Sequence, residues 1–150
     1  MRDNVEINRL AVTEPSAGAY DPGTCQWKWH SDLASIGPCD FSVSGDPAGP
    51  EVRRMQALAR LVQAIIVVRK RAMDLLKGLV IPTGDLNLDE VELGQRADRM
   101  ECDFVIRFID CPADRSRPVD TYFDVCFRDD PDHPSEFYRF HPFKIVIGFF

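Results

Sequence analysis

Tyr122, Asp124, Cys126 and Arg128 recur at every second position, the spacing that places side chains on one face of a β-strand. Arg107 on the preceding apolar segment, and Arg139 with His141 on the following one, fall where neighbouring strands would bring them alongside. Adjacent strands lie about 4.8 Å apart, so these groups are within reach of one another. Such a face suits a carboxylate, a phosphate or a partner's side chain. The ligand-binding candidates are therefore Arg107, Tyr122, Asp124, Arg139 and His141. A solvated sheet face carries the same residue types, and its ion pairs contribute little to stability. Cys126 beside His141 would be a thiolate pair if the strands align them.

Trp27 and Trp29 flank Lys28 and share one face of a predicted strand, Gln26–His30. Two indoles either seal a core or anchor a partner. Asp129, Asp130, Asp132 and His133 crowd one turn. Pro131 and Pro134 stand in place of the glycine and terminal glutamate of a calcium loop. Cys25, His30 and Cys39 lack the spacing of a zinc site. No metal and no cofactor is expected. The chain has no Gly-x-Ser-x-Gly and no Ser-x-x-Lys. Its turn-rich run Ser44–Pro50 lacks the lysine and the glycine spacing of a phosphate loop. Catalytic residues are therefore assigned to none of these positions.

The elements that must hold these groups follow from periodicity. Glu51–Lys77 reads as one long helix, opened by Pro50 and closed near Gly78. Met55, Leu58, Val62, Ile65, Ile66, Met73 and Leu76 form its apolar side. The β-branched run Ile65–Val68 is where such a helix would bend. Residues 1–50 read as an irregular N-terminal segment with short candidate strands at Val5–Val12, Gln26–His30 and Cys39–Val43. Leu86–Leu93 fits either a short strand or a helical turn. Residues 101–150 read as a β-meander, with Phe137–Phe140 and Lys144–Phe150 as separate strands interrupted by His141-Pro142. The expected fold is α+β, a single domain with an antiparallel sheet of five to seven strands on one long helix. The apolar final strand is also a candidate edge for pairing with another molecule.

Charge divides along the chain. Glu51–Lys77 holds seven basic and two acidic residues, whereas Asp85–Glu136 holds six basic and fifteen acidic ones. A net charge of −6 disfavours nucleic acid as a partner. The longest apolar run, Leu61–Val68, is far shorter than the roughly 20 residues of a membrane span, so no membrane is expected. Arg2–Asn8 has no apolar segment of signal-peptide type, and the five cysteines show no paired spacing. A cytoplasmic location with reduced thiols is the expectation. With no catalytic signature and an acidic balance, the leading expectation is a protein-interaction module. Its concrete form is a small bacterial immunity-type inhibitor of a basic toxin or effector, contacting it through Trp27, Trp29, Asp129, Asp130 and Asp132. The alternative is a ligand-binding protein or enzyme using the polar sheet face, and a third is a subunit dimerising through the final strand.

Overall fold

A computed structural model describes residues 18–33, 36–79, 84–112 and 121–149. The candidate strand Val5–Val12 lies outside them. Residues 19–50 are more regular than expected: β1 (Ala19–Asp21), β2 (Gln26–Leu33), β3 (Gly37–Asp46) and the two-residue β4 (Gly49–Pro50) form successive antiparallel pairs. Two helices follow, α1 (Val52–Gln63) and α2 (Ile65–Leu79). Then come β5 (Gly84–Leu93), the short α3 (Gln95–Arg99), β6 (Phe104–Pro112), β7 (Thr121–Asp129), the single turn α4 (Glu136–Arg139) and β8 (Phe140–Phe149).

The strands form an eight-stranded sheet in the order β1-β2-β3-β5-β6-β7-β8, with β4 paired to β3 off this path. The β3–β5 pair is parallel and every other pair is antiparallel. A parallel pair cannot be joined by a tight turn, and α1 and α2 supply the crossover it needs. Among the described residues no helix is long and apolar enough to cross a membrane.

The single long helix expected over 51–77 is corrected to two. Ala64 leaves helical geometry at φ −104° and ψ 13°, and its N–H turns back to the Leu61 carbonyl at 3.0 Å. The break immediately precedes the β-branched run, whose restricted side chains crowd a continuing turn. Leu58, Leu61, Val62, Ile65, Val68, Ala72 and Leu76 are all buried, so the apolar stripe continues across the break. Ile66, expected on that stripe, is 63% exposed, while Val68 is fully buried in its place.

The stripe packs against Phe41, Val43, Val91, Ile106, Phe108, Val125 and Phe127 from the central strands. Burying each such side chain fully contributes roughly 1.5–3 kcal/mol. Trp29, at 3% exposure, belongs to this core, and Trp27 packs at its margin with its indole N–H donating to the Asp46 carbonyl at 2.8 Å.

Two further expectations change near the end of the chain. Glu136–Arg139 is helical, where Phe137–Phe140 was expected to be a strand. His141-Pro142 then lies inside a continuous β8, with a register shift opposite Cys126/Phe127 absorbing the irregularity. Proline is tolerated there because, among the described residues, β8 is the last strand in the order.

Candidate functional site

The face of the sheet turned away from α1 and α2 carries two rows of polar groups. Register aligns His30, Asp40, Glu90, Arg107, Asp124 and Val146 across six strands. The adjacent row is Lys28, Ser42, Glu92, Val105, Cys126 and Lys144. Arg107 reaches Asp124 in a two-pronged ion pair, Nε to Oδ1 at 2.7 Å and Nη2 to Oδ2 at 2.8 Å. Its guanidinium also stacks over the Tyr122 ring, 4.0 Å from the centroid. Tyr122 lies across Gly148 of β8, where any Cβ would collide with the ring.

α3 lies over part of this face and supplies a second guanidinium. Arg96 bonds Glu90 Oε2 at 3.2 Å, and its side chain also stands 3.7 Å from Glu92 and 3.9 Å from Asp124. Glu90 Oε1 accepts the Ser42 hydroxyl at 2.9 Å. Glu92 is 1% exposed, and its Oε1 accepts from Gln26 Nε2 at 3.0 Å and from the Arg96 amide at 2.9 Å. Burial raises the Glu92 pKa above the ordinary carboxylate value, against the lowering effect of the Arg96 amide and guanidinium. Gly94, at the entry to α3, lies close under this network, so that a Cβ there would displace the ends of the Gln26 and Glu92 side chains. Beside this network, Lys28, His30, Asp40, Ser42 and Glu90 line an open groove of about 440 Å³.

Arg107, Tyr122 and Asp124 thus come together as the strand spacing implied. Arg139 and His141 stand elsewhere. Arg139 pairs with Asp129 at 2.8 Å, and Arg60 of α1 approaches the same carboxylate at 3.6 Å. His141 sits opposite Arg128, with its ring 6.1 Å from that of His133. Cys126 is paired across the sheet with Lys144, lies 3.3 Å from the Met100 sulfur and packs in a cluster with Cys102, whereas His141 is paired with Arg128, so the strands do not align the expected thiolate pair. Ser42, Glu90, Glu92 and Arg96 were missed by sequence reasoning. The usable signal was the Leu86-x-Leu88 and Val91-x-Leu93 alternation, whose phase slips at Asp89, the extra residue of a bulge between Leu88 and Glu90.

A second polar region forms at one end of the sheet. The turn after α3 meets the turn after β7, because the Asp129 N–H donates to Asp103 Oδ2 at 2.7 Å and the Asp103 N–H to the Phe127 carbonyl at 2.9 Å. This contact brings Asp98, Asp103 and Asp129 round one groove, which Arg53, Arg54 and Arg60 of α1 also line. Asp98 is engaged by Arg54 at 2.6 Å, and Asp129 by Arg139. Glu101, Asp103, Asp130 and Asp132 are exposed. Of the expected partner contacts, Asp130 and Asp132 therefore lie on the surface, Asp129 is held in internal pairs, and Trp29 is enclosed by the core.

Cys25 and His30 are exposed while Cys39 is buried on the helix side, so those three do not converge. Among the described residues, no group of three or more His, Cys, Asp or Glu side chains is arranged to hold a metal ion. Comparison with protein-family models, with curated proteins and with solved structures gives no match to this chain.

Proposed function

We propose that the chain is a protein-interaction module that docks a basic partner on its acidic end. The observation behind this reading is the Asp103–Asp129 hydrogen bond, which brings the acidic turn after α3 alongside the acidic turn after β7. Glu101, Asp103, Asp130 and Asp132 present that charge outward, and a concentrated negative rim accelerates encounter with a basic surface. In its most specific form the partner is a basic toxin or effector and the chain is its immunity-type inhibitor. Most polar groups of Arg107, Asp124, Arg96, Glu90 and Glu92 pair with one another, which suits this network to a scaffold role.

The reading is tested by isolating the tagged chain from its own cells beside a Glu101→Gln, Asp130→Asn, Asp132→Asn variant. These amides keep the shape and the local acceptors while removing charge. The wild type is expected to bring down a stoichiometric basic protein that the variant loses. Equal recovery with both chains rejects the acidic rim as the docking surface.

One observation favours a second reading, self-association. Among the described residues β8 is an edge strand; its Phe143, Ile147 and Phe149 are 47%, 50% and 71% exposed, and charge is absent from Ile145–Phe149. An unguarded apolar edge is a template for strand addition by another molecule.

A further inference from the structure

Beneath α3, on the open face of the sheet, three sulfur-bearing side chains pack into one cluster. Ala97, Met100, Cys102, Val105 and Cys126 form a small cluster separate from the main core. The Cys126 thiol, rising from β7, lies 3.3 Å from the Met100 thioether. Cys102 packs in the same cluster as this thiol. Cys102 is held from the other side, its N–H bonded to the Ala97 carbonyl at 3.0 Å and its sulfur 3.6 Å from the same oxygen. All of these groups come from α3, the turn that follows it, and the strands below.

Packing alone explains the burial, since cysteine and methionine fill small apolar spaces readily. The backbone between them is the end of α3: Glu101, at φ 57°, is the left-handed residue that closes the helix, with the Cys102 N–H returning to the Ala97 carbonyl. That turn carries Met100 and Cys102 into the same small cluster as Cys126.

We propose that Met100, Cys102 and Cys126 form a binding site for a soft monovalent cation, of which copper(I) is the biological example. Two thiolates and a thioether are the soft donor set that selects such an ion. Zinc sites are built from Cys, His and carboxylate donors in fours, and methionine is not among their ligands. Hard cations require oxygen ligands, which this sulfur group does not supply. Binding replaces the two S–H bonds with two copper–sulfur bonds. It releases two protons to solvent and leaves copper in the +1 state, with no electron transferred. Met100 is the partly exposed member of the group, so it is the side chain that moves to admit the ion.

The test uses the whole reduced chain under anaerobic conditions, titrated with copper(I) held by the coloured chelator bicinchoninate. The wild type is expected to withdraw one equivalent and bleach the chelator complex. Cys102→Ala and Cys126→Ala each weaken this by at least about tenfold, the scale on which even outer partners of metal ligands act. Met100→Leu, which keeps the volume and sits at the surface, weakens it measurably and serves if a cysteine variant fails to fold by circular dichroism. Cys25→Ser, at an exposed cysteine remote from the cluster, leaves the titration unchanged. Failure of the wild type to compete overturns the proposal. So does undiminished withdrawal by the folded Met100→Leu and Cys102→Ala variants.

Discussion

Replacing Asp124 with alanine removes the carboxylate that holds Arg107 in place. The Asp124 side chain is 2% exposed and that of Arg107 is 14% exposed, so water cannot readily substitute for the lost partner. Two short hydrogen bonds disappear at once, and Arg96 loses its more distant contact with the same group. Breaking a buried pair from one side costs about 3–5 kcal/mol. Arg107 retains the Tyr122 face at 4.0 Å and has Glu90 next to it in the row, which places the loss near the lower limit, about 3 kcal/mol. With a urea dependence of about 2 kcal/mol per molar, the unfolding midpoint falls by about 1.5 M. Fluorescence of the enclosed Trp29 reports the transition. A double variant, Arg107→Met with Asp124→Leu, removes both charges and is expected to recover most of the stability. A single variant within about 1 kcal/mol of wild type refutes the assignment of a buried pair, as does a double variant no more stable than the single.

Three further outcomes follow from the same geometry. Burial raises the Glu92 pKa above its ordinary 4.5, so the folded state takes up this proton before the unfolded state as pH falls. Glu92 therefore diminishes stability as pH rises from 4.5 through its folded value, and Glu92→Gln should flatten that part of the curve in urea titrations at successive pH. Gly148→Ala places a methyl group inside the Tyr122 ring and should cost about 1–3 kcal/mol, with a changed near-ultraviolet dichroism as the ring moves. Ile147→Lys on the exposed edge of β8 leaves the fold intact; if that edge joins two copies, light scattering shows a wild-type dimer and a variant monomer.

The legible parts of this fold were those with unbroken periodicity. β6 and β7 alternate cleanly, and that alternation identified Arg107, Tyr122 and Asp124 as neighbours before any geometry was known. The helical stripe from Leu58 to Leu76 was equally visible, but the interruption at Ala64 was not, because Ala64 itself favours a helix and the strain lies in the residues after it. β5 was obscured by its bulge, which shifts the apolar phase midway and hid Glu90 and Glu92. α3 is only five residues long, too short to show a period, so the role of Arg96 had no sequence signature. His141-Pro142 read as an interruption because proline usually ends a strand; its position on the sheet edge, a property of the topology, makes it harmless. The acidic rim was half visible. Asp129, Asp130 and Asp132 crowd one stretch of sequence, whereas the approach of Asp129 to Asp103 depends on a hydrogen bond between distant turns.

The central claim is that an acidic rim recruits a basic protein. Native mass spectrometry of the chain isolated gently from its own cells at low ionic strength tests it most directly. A stoichiometric basic partner that dissociates as salt is raised is the predicted result, since charge steering weakens once the screening length falls below about 10 Å. A bare chain, or a partner held equally well at high salt, contradicts it.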